Sequence, residues 1–205
     1  MNAWLGELPL IAILRGIRPD EVPAQVDALL AAGFRAVEIP SNSPDWAESL
    51  RTAVTHAGNR ALIGGGTVTT LAQVETLAAS GARLMLSPNT DVEIITAGRA
   101  AGLEVMPGVA TASECFAALK AGATALKLFP AGTLGPAFVR AVKSVLPPAP
   151  LFAVGGISAR NLHDYLAAGC AGAGFGGELY RAGQPVDDTA IHAQEIVRAY
   201  RGARP

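Results

Sequence analysis

One phrase recurs along this chain: a small residue, a glycine, two or three further residues, and then a short apolar run. It occurs as Ala32-Gly33 before Ala36-Val37-Glu38-Ile39 and as Ser80-Gly81 before Leu84-Met85-Leu86. It returns as Ala101-Gly102 before Val105-Met106, Ala121-Gly122 before Ala125 to Phe129, and Ala168-Gly169 before Ala171 to Phe175. A glycine just after an apolar-periodic segment suits the left-handed residue that ends a helix, so each phrase reads as helix, stop, strand. The intervening segments carry helical spacing. Val22, Val26, Leu29 and Leu30 share a face, as do Trp46, Leu50 and Val54, and Leu71, Val74 and Leu77. Ser43-Pro44 offers a cap followed by proline at the first helical position, and Thr111 to Glu114 has the pattern of a capping box.

Strands are expected over 10–15, 36–40, 62–67, 84–88, 104–109, 125–130, 151–155 and 171–175. Alternating strands and helices with short connections imply an α/β fold with a parallel sheet covered by helices. Eight units favour closure into a (β/α)8 TIM barrel over an open sheet. Spread over 205 residues they leave about 25 residues each, so the loops must be short. No linker, low-complexity tract or charge run interrupts the pattern, and the whole chain, 1–205, reads as one domain.

The bulk numbers narrow the partners. A formal charge of −1 with interspersed signs supplies no basic stripe, so nucleic acid is not expected. Cys115 and Cys170 lack CxxC or Cys/His spacing and read as small buried hydrophobes in a reducing cytosol. The apolar run Leu8 to Leu14 contains Pro9, stops at Arg15 and follows Glu7, not a basic segment, so it does not read as a signal peptide. No stretch approaches the roughly 18 apolar residues that span a bilayer. The expectation is a soluble cytoplasmic protein with no membrane contact.

Lys127 stands inside Ala-Leu-Lys-Leu-Phe-Pro, Ala125 to Pro130. Lysine is almost never fully buried unless it is paired or used. Out of water its ammonium tends to give up a proton, and the neutral amine is a nucleophile. The alternative is a strand-end lysine whose stem carries the charge to water. In a barrel the chemistry sits at the C-terminal ends of the strands, and strand side chains alternate with period two. If Leu126 and Leu128 face the helices, Lys127 and Phe129 face the axis. If Val37 and Ile39 face outward, Glu38 faces inward. Arg15 closes the first strand on the inner side, and Thr67 ends the third after Gly64-Gly65-Gly66. One Arg, one Glu, one Thr and one Lys thus share a mouth. A salt bridge and a helix cap would account for Arg15, Glu38 and Thr67 structurally. An inward Glu beside an inward Lys is also what imine chemistry requires: a neutral amine and a group that moves protons.

The seventh and eighth units end in glycine-rich loops, Val154-Gly155-Gly156-Ile157-Ser158 and Gly174-Phe175-Gly176-Gly177. Barrels commonly bind phosphate there, through backbone N–H groups and a following helix start. Tight turns alone are the other explanation. His56, His163 and His192 fall on expected helices without ligand spacing, so neither a metal nor any other cofactor is expected.

These residues together resemble the short class I aldolases that cleave 2-keto-3-deoxy-6-phospho sugar acids. The resemblance runs through Pro9 to Gly16, Ala32 to Ile39, Gly64 to Thr67, Ser87-Pro88-Asn89, Ala125 to Pro130 and Gly155 to Ile157. It implies that Lys127 forms the Schiff base with the substrate's 2-keto carbon and that Glu38 shuttles protons. Arg15 and Thr67 would hold the pyruvyl end, with Pro88 and Phe129 as walls. Gly155, Gly156, Gly176 and the position of Gly177 would bind phosphate. Gly177 stands where many relatives have serine. The resemblance further implies a homotrimer, pyruvate as one product and a phosphorylated sugar acid as substrate. Asn42 and Val154 stand where members acting on the phosphogluconate-derived acid typically carry arginine and threonine, so both resemble the phosphogalactonate branch. The sister gluconate branch, a phosphosugar isomerase and a non-catalytic phosphate-binding barrel are the competing readings.

Overall fold

A computed structural model describes residues 6 and 8–203. Glu7 and the extreme ends of the single-domain expectation lie outside the described residues. Nine strands are found among the described residues: β1 (Leu10–Ile13), β2 (Ala36–Pro40), β3 (Leu62–Gly66), β4 (Leu84–Leu86), β5 (Glu104–Met106), β6 (Gly108–Val109), β7 (Leu126–Leu128), β8 (Leu151–Val154) and β9 (Gly172–Phe175). Every pairing is parallel, in the order β5-β4-β3-β2-β1-β9-β8-β7-β6.

The two ends of that order, β5 and β6, are halves of one run split at Pro107. A walk around the sheet therefore returns to its start, and nine strands fill eight positions of a TIM barrel. The fifth strand, expected unbroken over 104–109, is interrupted because proline has no N–H for the ladder. The Pro107 carbonyl still accepts the Lys127 N–H at 2.9 Å. β5 then pairs with β4 and β6 with β7.

Helices α1 (Val22–Ala32), α2 (Trp46–Ala57), α3 (Leu71–Ala79), α4 (Val92–Ala100), α5 (Ala112–Lys120), α6 (Ala131–Lys143), α7 (Leu162–Ala167) and α8 (Val186–Gly202) fill the connections. The five glycines expected to stop helices all have positive φ: Gly33 at 112°, Gly81 at 81°, Gly102 at 78°, Gly122 at 99° and Gly169 at 106°. Each therefore turns the chain into the next strand without the steric penalty a side chain would impose.

Three helix starts depart from expectation. α2 begins at Trp46, and Ser43 is buried, its Oγ accepting the Gly16 N–H at 2.9 Å. Thr111 Oγ1 does accept the Glu114 N–H, but Glu114 Oε2 takes the N–H of Ala110, not that of Thr111. Leu71, the first residue of its helix, is exposed while Val74 and Leu77 are buried.

Strand parity divides the core in two. Val37, Ile39, Leu126, Leu128, Ala153 and Phe175 belong to the layer between sheet and helices. Ile11, Ala36, Leu62, Leu84, Met106 and Phe152 form a separate cluster within the barrel. Fully burying each such large side chain stabilises the fold by roughly 1.5–3 kcal/mol. That cluster is an apolar plug inside the barrel.

Candidate active site

Two of the buried charged side chains face each other across the interior. Glu38 on β2 is 1% exposed and Lys127 on β7 is 4% exposed. Counting β5 and β6 as one position, β2 and β7 are four positions apart in a ring of eight, on opposite walls. Leu126 and Leu128 pack toward the helices, and Val37 and Ile39 do the same, so parity sends the two charged residues inward.

Burial moves both groups toward neutrality. It lowers the Lys127 pKa; the Glu38 carboxylate opposes that shift and the Arg15 charge adds to it. It raises the Glu38 pKa, against the opposing pull of Lys127 and Arg15. The Lys127 Nζ lies 5.0 Å from the centroid of the Phe129 ring, which walls one side of the amine. Glu38 Oε2 is buried and has no hydrogen-bond partner among the described residues. The carboxylate occupies the space directly over Gly66, where any Cβ would collide with it. An amine of lowered pKa and a carboxyl group of raised pKa within one pocket are what a nucleophile and a group able both to give and to take a proton require.

Arg15, Thr67, Pro88 and Phe129 all lie just past strand ends. The first, third, fourth and seventh strands (β1, β3, β4, β7) stop earlier than expected, at Ile13, Gly66, Leu86 and Leu128. Phe129 still donates its N–H to the Val109 carbonyl at 3.1 Å and lies on the Lys127 side, as alternation expects. Leu14 donates its N–H to the Glu38 carbonyl at 2.9 Å, and the exposed Arg15 follows, its Nη1 donating to Asn42 Oδ1 at 2.6 Å. Thr67 has φ of 57°, uncommon for a β-branched residue, and its carbonyl accepts the Ser41 hydroxyl at 2.7 Å. The carbonyl of half-buried Pro88 presses on Gly108 with no room for a side chain between them. Phe129 is 37% exposed at the mouth. A Cβ at Gly155 would stand 3.1 Å from its ring, so Phe129 adjoins both the lysine and the first glycine loop.

Val154 ends β8, buried, on the same parity as the interior Phe152 and level with Gly174 of β9. Beyond it Gly155 and Gly156 take φ of 87° and 76°. The Gly155 carbonyl accepts the Gly132 N–H at 2.8 Å, and the Gly156 carbonyl accepts Asn161 Nδ2 at 2.8 Å. After β9 the Gly176 carbonyl accepts the N–H groups of Leu179 and Tyr180 at 2.8 and 2.9 Å. Among the described residues no protein acceptor takes the N–H of Gly156, Gly176 or Gly177. A Cβ at Gly176 or Gly177 would meet nothing within 4 Å. The helix expected to begin at the first loop starts only at Leu162 and runs six residues, so it adds little dipole there. What the two loops present there is backbone N–H groups.

His56, His163 and His192 lie on α2, α7 and α8, and His56 Nε2 sits 2.9 Å from Asp27 Oδ1. Cys115 and Cys170 are buried free thiols, the latter pushed up to about 12 by burial. Sequence reasoning overlooked Ser41, whose hydroxyl reaches the Thr67 carbonyl. The available signal was the polar run Ser41-Asn42-Ser43 directly after the strand that carries Glu38.

The fold and its polar mouth define a TIM-barrel enzyme. The family model described as KDPG and KHG aldolase matches residues 1–194, and the chain belongs to that aldolase family of carbon–carbon lyases. It is 52% identical over 201 residues to the 2-dehydro-3-deoxy-6-phosphogalactonate aldolase of Escherichia coli K12, covering 98% of both chains. It is 48% identical to a probable 2-dehydro-3-deoxy-6-phosphogalactonate aldolase of Rhizobium meliloti, covering 95% of this chain and 92% of that one. A solved structure described as native KDPGal superimposes with a TM-score of 0.95 at 52% identity, covering 98% of each chain.

Proposed function

We propose that the protein cleaves 2-dehydro-3-deoxy-6-phosphogalactonate to pyruvate and D-glyceraldehyde 3-phosphate through an imine on Lys127. The observation that carries this reading is the buried Lys127, its pKa lowered, facing a buried Glu38 that has an unpartnered oxygen. The family membership and the two phosphogalactonate aldolase relatives support the substrate.

The neutral amine attacks C2, and protonated Glu38 supplies the proton with which the C2 hydroxyl leaves as water. The iminium so formed is an electron sink next to C3. Glu38, now a carboxylate, takes the proton of the C4 hydroxyl, directly or through a water. The C3–C4 bond breaks, its electron pair moves into the enamine, and glyceraldehyde 3-phosphate departs. Protonation at C3 and hydrolysis then return the amine and release pyruvate. Arg15 and Thr67 hold the substrate carboxylate end, and Pro88 and Phe129 wall the reacting carbons. The N–H groups of the Gly155-Gly156 and Gly176-Gly177 loops hold the phosphate, whose binding orients C3 and C4. The iminium is the electron sink, so neither metal nor cofactor enters the proposal.

The galactonate preference rests on Val154. Its apolar side chain offers no hydrogen bond to a C4 hydroxyl, and a site lacking that bond does not select the epimer that would make it. The test is kcat/KM on both C4 epimers, read as pyruvate released. A higher value for the galactonate-derived substrate is expected; a higher value for the gluconate-derived one overturns the substrate assignment.

A homotrimer completes the proposal. Leu71 and Val92 open α3 and α4 and Phe116 lies on the second turn of α5; at 42%, 54% and 47% exposure they are apolar side chains available to a second copy. No helix among the described residues is long and apolar enough to cross a membrane. A cytoplasmic location is proposed with it, in keeping with two free buried thiols.

A further inference from the structure

The three residues after β2 each reach a different neighbour at the mouth. The Ser41 N–H donates to the Gly66 carbonyl at 2.7 Å, and its hydroxyl donates to the Thr67 carbonyl at 2.7 Å. That hydroxyl is itself held by Gln73 Nε2 at 3.2 Å. Gln73 Oε1 meanwhile accepts the N–H groups of Thr69 and Thr70, so the loop after β3 is tied at both ends. Asn42 Oδ1 accepts from Arg15 Nη1 at 2.6 Å. Ser43 Oγ accepts the N–H of Gly16, fixing the backbone immediately behind Arg15.

Two features of the site call for such support. Thr67 sits in the left-handed region, where a β-branched residue stays only if its surroundings over-determine it. Arg15 is exposed, and a free guanidinium on a long stem samples many rotamers. One short charge-assisted bond to Asn42 selects an orientation, and the remaining N–H donors are left for a carboxylate.

We propose that Ser41-Asn42-Ser43 is a positioning segment for the carboxylate end of the site, with Ser41 setting Thr67 and Asn42 aiming Arg15. The same loop descends from the strand that bears Glu38, so the proton-transfer group and the carboxylate holders share one backbone segment. The proposal rests on the Lys127 aldolase reading and adds residues to it.

The test uses the enamine half-reaction alone. A lysine enamine exchanges the methyl hydrogens of pyruvate with solvent deuterium, and NMR follows the exchange for pyruvate and for its uncharged methyl ester. Asn42→Ala is expected to raise KM for pyruvate by about 5- to 20-fold, the scale of one misaimed charge-assisted bond, and to change the maximal rate far less. Exchange of the methyl ester should stay within about twofold of wild type, since no carboxylate is there to be held. In an Arg15→Ala background Asn42→Ala should add nothing. Ser41→Ala should also raise KM for pyruvate, with recovery in Ser41→Thr, which keeps the hydroxyl.

Equal loss on pyruvate and its ester, or an Asn42→Ala effect that adds to Arg15→Ala, would overturn the positioning role. So would an unchanged KM in a folded Asn42→Ala. Absence of exchange in wild type itself would overturn the aldolase reading, and the segment's role with it.

Discussion

The two ends of the mouth are built from different materials. At the proposed imine end the working groups are side chains: Lys127 and Glu38, buried on opposite walls of the barrel, and the exposed Arg15 just past β1. At the proposed phosphate end they are backbone N–H groups of Gly156, Gly176 and Gly177, with open space where side chains would be at Gly176 and Gly177. A side-chain site depends on which residue stands where, and a single substitution removes its chemistry. A backbone site depends on chain path, tolerates change in side-chain identity, and is able to gain function from an added hydroxyl. The proposed reaction needs both, because remote binding energy is useful only if the reacting end is rigid.

The largest expected effect falls on the imine end. Lys127→Arg should lose all turnover, since a guanidinium stays protonated and cannot form an imine. Lys127→Met, nearly volume-conserving, should fold and be equally inactive, which separates chemistry from packing. Turnover persisting in either variant would remove the lysine from the mechanism.

Next is the carboxyl group. Glu38→Gln should slow cleavage by roughly 10²–10⁴-fold while pyruvate binding remains measurable. Gly66→Ala should do comparable damage without removing a polar group, because its methyl group would stand where the carboxylate does. If Gly66→Ala keeps wild-type kcat, the Glu38 position is not required.

The phosphate end should respond oppositely and weakly. Gly177→Ser places a hydroxyl in open space and should lower KM for the phosphorylated substrate by about 2- to 13-fold, the worth of one hydrogen bond. Pyruvate exchange, which involves no phosphate, should not change. A rise in KM would argue against a phosphate there.

Smallest in consequence is Val154→Thr. It should shift the ratio of kcat/KM between epimers toward the gluconate-derived one by about 2- to 13-fold, again one hydrogen bond, without inverting it. An unmoved ratio would take Val154 out of epimer selection.

The inward placement of Glu38 and Lys127 was legible in the sequence, because period-two alternation settles which way they point once their neighbours are apolar. The five helix-stopping glycines were legible for an equally local reason, a backbone conformation that other residues avoid. Ser43 was misread: its cap-like position before Pro44 gave way to a long-range bond to Gly16, and no local pattern signals a partner 27 residues away. The break at Pro107 was missed because an apolar run masked the absent N–H. The polar run at Ser41 was visible, but its bond to the Thr67 carbonyl was not, since it depends on the φ of Thr67, which propensity does not forecast. The phosphate loops were legible as glycine, but the helix after the first of them proved too short and too late to contribute.

The most direct measurement is covalent capture. Incubation with pyruvate and borohydride, then digestion and mass mapping, reads which amine forms the imine. The proposed mechanism requires irreversible inactivation with the reduced three-carbon fragment on Lys127. Survival of activity, or the fragment on Lys120 or Lys143 instead, would contradict it.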